Sequence, residues 1–374
     1  MGTGHRQKMP LARGSSGLDG PALTDAVVRS MEAGDGLSEA QFNALALAVF
    51  RYQFDQNRSY HSWCTALGWT EERVTALDTW WAIPAMPVEA FKWDDVKTEG
   101  LPQDANGELV FRTSGTTGSR PGVHTVRTPR LYAISAQRGF QRVFGPPGPK
   151  GDVLLGLLPG YLERPDSSLV HMVSALREAG WCLPGAAASA GFFLEDHDGL
   201  FRAMEAVWKA GRRPVLIGVT WAMMDAAEAW HASGRSAIAD RAVILETGGM
   251  KGRRLERVRE EVHEHLQAHF GCSAVAGEYG MTELLSQAWS MGNGDYATPP
   301  WMRVRVRRTD DPFALEQEGR TGGLDVVDLA NLGSCSFLST QDLARSLPGD
   351  PGRHFEVLGR FDHAEVRGCN LMVD

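Results

Sequence analysis

Three short apolar runs constrain this chain more than anything else in it: Val153-Leu154-Leu155-Gly156-Leu157-Leu158, Pro214-Val215-Leu216-Ile217-Gly218-Val219 and Ala242-Val243-Ile244-Leu245. Each is short and rich in branched side chains, so each reads as a strand buried on both faces. Residues 167–180, 198–210 and 253–270 carry their apolar positions at helical spacing instead. Strand and helix alternating at this interval predict a mostly parallel sheet covered by helices. After residue 300 the texture changes to short strands over 302–307, 323–329 and 334–339, separated by Gly and Pro turns. That stretch predicts a smaller β-rich part.

Ahead of the alternating region, residues 1–20 are rich in Gly, Ser, Arg and Lys and read as a flexible tail. Ser38-Glu39-Ala40-Gln41 has capping-box form and predicts a helix start. Phe42, Leu45, Val49 and Phe50 then share one helical face. Trp80 to Pro87 contains two prolines and cannot be a regular helix. Hydrophobic residues make up 43% of the chain, enough for a substantial core. Lys and Arg number 38 against 46 Asp and Glu, a net charge of −8, which argues against general nucleic-acid binding but permits a local cationic pocket. No apolar run approaches the roughly 18–20 residues that cross a bilayer. The opening Met1-Gly2-Thr3-Gly4-His5-Arg6 has no apolar stretch behind it, so no secretion signal is read and the expected location is cytoplasmic. The five cysteines show no CxxC pair. Cys64, Cys182, Cys272 and Cys335 read as buried thiols.

Four stretches carry chemistry. Leu109-Val110-Phe111-Arg112 runs into Thr113-Ser114-Gly115-Thr116-Thr117-Gly118, an apolar strand followed by hydroxyls and glycines. Such a loop can turn backbone N–H groups inward and add side-chain donors, which suits polyphosphate, although it is not a Walker pattern. Gly277-Glu278-Tyr279-Gly280-Met281-Thr282-Glu283 follows another apolar run, where open α/β sheets bind ligands. There a carboxylate and a hydroxyl can hold Mg²⁺ and a phosphate oxygen together, and Tyr279 can stack on a base. Thr340-Gln341-Asp342 places a carboxylate just past a β-run, suited to two ribose hydroxyls. The fourth stretch is Gly359-Arg360-Phe361-Asp362, with Cys369 beyond it.

Taken in order, these motifs resemble those of the adenylate-forming superfamily, which includes acyl-CoA ligases and peptide-synthetase adenylation domains. The chain is most similar to the LuxE family of acyl-protein synthetases. That likeness rests on its shortness, on Ile83-Pro84-Ala85-Met86-Pro87 followed by Phe91-Lys92, and on Pro299-Pro300-Trp301 with Arg367-Gly368-Cys369. The resemblance implies an α/β fold with two parallel-sheet βαβ subdomains plus a small β-rich subdomain. Residues 1–20 would be a tail, 21–360 the adenylation domain and 361–374 a hinge-like end carrying Cys369. It implies that Thr113, Ser114, Gly115, Thr116, Thr117 and Gly118 wrap the phosphates of ATP. Gly248 and Gly249 would lie against adenine, with Glu278, Tyr279 and Gly280 completing that pocket. Thr282 would touch the α-phosphate, Glu283 would hold Mg²⁺, Asp342 would bind the ribose, and Arg360 would sit near ribose or phosphates. Cys369 would accept the acyl group, as a thiolate attacking a mixed anhydride.

The sequence also departs from the superfamily. Arg120-Pro121-Gly122 stands where Pro-Lys-Gly is usual, and the chain ends at Asp374, short of the lid that carries a catalytic lysine in full-length relatives. A large domain without its lid is therefore expected. The implied reaction turns a fatty or aryl carboxylic acid and MgATP into acyl-AMP and pyrophosphate, then transfers the acyl group to a thiol. The thiol would be Cys369, a carrier protein, a partner enzyme or, in the alternative reading, CoA. A second alternative is a non-catalytic ATP-binding subunit. Stretches 161–168 and 220–223 could border the acid pocket. His124 and His171 read as ordinary histidines. His263, His265 and His269 lack an evident third metal ligand and read as a solvated helix face.

Overall fold

A computed structural model describes residues 18–34, 36–104, 107–113, 120–160, 163–248, 258–349 and 351–361. The chain begins with helices α1 (Gly20–Glu32), α2 (Glu39–Gln56), α3 (Arg58–Ala66) and α4 (Glu71–Ala76), then strands β1 (Met86–Pro87), β2 (Leu109–Arg112) and β3 (Val123–Val126). Helix α5 (Pro129–Phe144) leads into β4 (Val153–Leu157), α6 (Ser168–Glu178), α7 (His197–Lys209), β5 (Pro214–Val219), α8 (Thr220–Ala232) and β6 (Val243–Thr247). After α9 (Arg259–Phe270) come β7 (Ala276–Tyr279), β8 (Ala288–Ser290), β9 (Tyr296–Ala297), β10 (Met302–Arg307), β11 (Thr321–Asp328), β12 (Phe337–Ser346) and β13 (His354–Arg360).

Local chemistry explains several boundaries. Helix α2 starts with both halves of the capping box: Gln41 N–H donates to Ser38 Oγ at 3.3 Å and Ser38 N–H to Gln41 Oε1 at 2.9 Å. Helix α1, which the sequence reading passed over, begins where Asp19 caps Ala22 N–H and Pro21 occupies the first turn. Strands β4 and β5 are buried at every position, as their unbroken apolar runs require.

Strands β4, β5, β6 and β7 pair in parallel in that order, with α8 packed on α9 and α5 on α6 over the sheet. At β7 the direction reverses. Strand β8 pairs antiparallel with it, and the sheet continues through β9, β13, β12 and β11 to β10, with β1 joining β12 in parallel. Strands β4 to β7 form one parallel block, the β1–β12 pair lies apart from it, and hydrogen bonding joins the β-rich part to the block in a single sheet of 11 strands among the described residues. Strands β2 and β3 form a separate antiparallel pair, from Leu109 opposite Val126 to Arg112 opposite Val123.

Strand β10, Met-Arg-Val-Arg-Val-Arg, is buried throughout, although its alternation would suit a sheet with one wet face. Its arginines are bonded inside. Arg305 and Arg307 share Asp325 at 3.2 and 2.8 Å, and Arg305 also donates to the carbonyls of Trp81 and Ile83. Arg303 lies over the Phe42 ring at 4.4 Å. These bonds tie the proline-containing stretch after Trp80 to the sheet.

Candidate active site

The site lies at the end of β7, where the sheet changes from parallel to antiparallel, a place where such sheets leave a crevice. The sequence places the Gly277–Glu283 motif at a strand end, behind an apolar run. Gly277, Glu278 and Tyr279 belong to β7 itself, and Gly280 onward turns. Asp342 likewise lies within β12 rather than past its end. Neighbouring strand residues point to opposite faces, and that alternation divides the motif in two.

On one face, Tyr279 O–H donates to Asp342 Oδ2 at 2.7 Å, and Arg360 Nε stands 3.3 Å from Asp342 Oδ1. Burial and the Asp342 charge together push the Tyr279 phenol far up, so it stays a donor. The Arg360 side chain is 71% exposed, at the rim. On the other face, Thr247 O–H donates to Glu278 Oε2 at 2.6 Å. Burial raises the Glu278 carboxyl to about 7, partly offset by the Thr247 bond. Glu278, Thr247, Gly248, Gly280 and Thr282 line a cavity of about 530 Å³, with Trp221 and residues 163–164 and 167–168 on other walls, as expected of those stretches.

Beyond the turn, Glu283 is 8% exposed. Desolvation lifts its carboxyl to about 7; Arg360 and Lys92 oppose the rise and Glu89 adds to it. The carboxyl lies over the base of the Ser/Thr/Gly loop, because a Cβ at Gly122 would meet Glu283 Oε1 at 3.2 Å and Thr113 Cγ2 at 3.2 Å. The loop base is clamped. Thr113 N–H donates to Gly122 O at 3.0 Å, and Gly122 N–H donates to Thr113 Oγ1 at 2.8 Å. Expectations for Ser114, Gly115, Thr116, Thr117, Gly118, Gly249 and Cys369 lie outside the described residues, as do those for residues 1–17.

Sequence reasoning missed the support beneath the turn. His124, fully buried on β3, donates its Nδ1–H to Thr282 O at 2.7 Å; since a carbonyl only accepts, Nδ1 carries the proton. Desolvation lowers the His124 pKa to about 4, so the ring is neutral. Asn331 Nδ2 donates to Glu283 O at 2.7 Å. Asp328 accepts from Leu285 N–H, Ser286 N–H and Ser286 O–H at 2.8, 3.0 and 2.6 Å. Trp301 completes the network, donating to Ser135 and Ser286 hydroxyls at 3.0 Å each. Only polar residues within apolar strands, as in Asp325-Val326-Val327-Asp328, signalled these partners.

Other sequence candidates resolve simply. Among the described residues no group of three or more His, Cys, Asp or Glu side chains could hold a metal, so His263, His265 and His269 form no such site. His265 and His269 stack on each other at 4.0 Å. Cys64, Cys272 and Cys335 are buried free thiols, and Cys182 is half-buried. No described helix is long and apolar enough to cross a membrane.

No family model and no curated protein sequence matches the chain. Solved structures do. An open conformation of 2-hydroxyisobutyryl-CoA ligase in complex with 2-HIB-AMP and CoA matches at TM-score 0.59 and 14% identity, over 87% of this chain and 71% of the ligase. The same ligase in its thioesterification state gives 0.61 at 14% identity, over 87% and 70%. The chain shares the fold of that ligase. ATP-bound MatB from Rhodopseudomonas palustris matches at 0.47 and 19% identity, over 70% of this chain, which spans half of MatB's length.

Proposed function

We propose that this chain activates a carboxylic acid with ATP, forming acyl-AMP and pyrophosphate, and passes the acyl group to a thiol. The observation that carries the reading is one convergence: Glu283 and Thr282 are pinned over the clamped base of the Ser/Thr/Gly loop, one turn from the Tyr279–Asp342–Arg360 cluster. Thr113 and residues 114–118 would wrap the phosphates, Asp342 would take the ribose hydroxyls, and Thr282 would contact the α-phosphate. The acid carboxylate would approach from the cavity. Holding carboxylate and α-phosphorus in line lowers the barrier mainly through positioning and charge stabilisation.

The buried Glu283 carboxyl, whose charge desolvation disfavours, fits a divalent cation that would stabilise that charge. With no three-ligand protein group among the described residues, such an ion would take this one carboxylate together with phosphate oxygens and water, the usual habit of Mg²⁺. Mg²⁺ would neutralise phosphate charge there. Arg360 and Lys92 are the cations that act on the same carboxyl.

The acceptor divides two readings. The LuxE-like one makes Cys369 the acyl acceptor. The CoA-ligase reading draws on the shared fold with a ligase solved with CoA. Pyrophosphate release from MgATP across fatty, aromatic and amino acids tests the adenylation step, and consumption of free CoA separates the acceptors. A Cys369→Ser variant that keeps pyrophosphate release but loses a covalent acyl-protein supports the first. Silence across the acids, with ATP binding retained, leaves a nucleotide-binding subunit instead.

A further inference from the structure

We propose that Glu278 selects the acid: the substrate carries an N–H or O–H donor away from its carboxyl, an amino- or hydroxy-substituted acid, which Glu278 Oε1 accepts. This rests on the adenylation reading above and names the substrate class of that same site.

The argument starts from the two faces of β7. Tyr279 points to the face of Asp342 and also packs edge-on against Phe355 at 5.3 Å, whereas the cavity opens on the other face, with Glu278 in its wall and Tyr279 and Asp342 outside it. If Asp342 takes the ribose, the nucleotide lies on the Tyr279 side, and Glu278 faces the other ligand. One Glu278 oxygen is already bound, since Oε2 accepts from Thr247. The other lies across Gly280, where a Cβ would run into Oε1 and approach Gln287 Cγ at 3.4 Å. Gly280 thus keeps a path open between Oε1 and the turn at Thr282.

Glu278 is 9% exposed and makes no ion pair with any described Lys or Arg. Among the described residues only the Thr247 side chain donates to this carboxyl, so a ligand that displaces water from Oε1 without offering a donor leaves it under-satisfied at a cost. Apolar walls alone discriminate weakly between a methyl and an amino group, whereas a buried polar partner rejects the analogue that lacks its complement far more strongly. Trp221, Met172 and Leu194 give the cavity apolar bulk, and its charged residues Arg112, Glu163 and Arg164 are exposed, so among the buried groups Glu278, with Gln287, supplies polar selection.

The experiment measures pyrophosphate release from acid pairs in which NH₂ or OH replaces CH₃: 4-aminobenzoate, 4-hydroxybenzoate and 4-methylbenzoate, and 6-aminohexanoate with heptanoate. The wild-type chain should prefer the donor-bearing member by about 100-fold in kcat/KM. Glu278→Met removes both oxygens at similar volume, and Glu278→Gln keeps a partner for Thr247 should the first fold poorly. Either should cut the preference at least tenfold with KM for ATP unchanged. Equal use of both members by the wild type overturns the inference and leaves adenylation standing. So does a raised KM for ATP with the acid preference intact, which would mean that the carboxyl reads the adenine amine. Release from no acid at all removes the adenylation reading, and this inference with it.

Discussion

At the residue scale the turn after β7 is where the proposed adenylation is most directly tested. Glu283→Gln keeps the shape and removes the charge, so pyrophosphate release should fall by about 100-fold or more while the unfolding midpoint holds or rises, because a costly buried carboxyl is gone. Kinetics beside a thermal melt checks both halves. His124 acts one step removed. His124→Ala leaves Thr282 O without its donor and should cost about 1–3 kcal/mol of stability. Pyrophosphate release should fall well beyond that loss, as a drop in kcat measured at a temperature where the variant stays folded. The sequence singled out Thr282 and Glu283 as candidates, because residue types and their spacing are local properties. It passed over His124, because a histidine's role depends on what lies across a gap of 158 residues.

At the element scale, buried ionic contacts hold the stretch after Trp80 to the sheet. Asp325 joins β11 to both Arg305 and Arg307 on β10, and Arg305 grips the carbonyls of Trp81 and Ile83. Asp325→Ala strands two buried guanidinium groups and should cost about 3–5 kcal/mol in urea unfolding. Asp328→Ala, which frees three donors of the 285–286 segment, should cost a similar amount and disorder the turn, seen as faster amide exchange at Leu285 and Ser286. Strands β4 and β5 were legible from their apolar runs and α2 from its capping box. Strand β10 was legible as a strand but not as a buried one, since pattern shows alternation and not which neighbour covers the polar side.

At the scale of the whole molecule, pH dependence is the sharpest readout. Glu278 and Glu283 both sit near 7 when folded, above the ordinary carboxylate value of 4.5. The folded chain therefore binds more protons than the unfolded chain between these values. Their contribution to stability is complete below about pH 4.5 and is lost as pH rises through 7. Melting temperature of the ligand-free chain should fall across that window, and the Glu278→Gln, Glu283→Gln double variant should flatten the fall. A slope unchanged in the double variant would show that other groups set it.

Sequence by itself determined the alternating α/β architecture and the identity of the motifs, because strand burial, helix capping and the residue types a phosphate or ribose requires are local properties. Only the tertiary structure decided that one continuous sheet joins the two parts, and that β7 turns Tyr279 toward Asp342 and Glu278 toward the cavity. It also decided that His124, Asn331 and Asp328 hold the turn from beneath. Those facts depend on contacts between distant stretches of chain, where burial sets both the partners and the charge of each group.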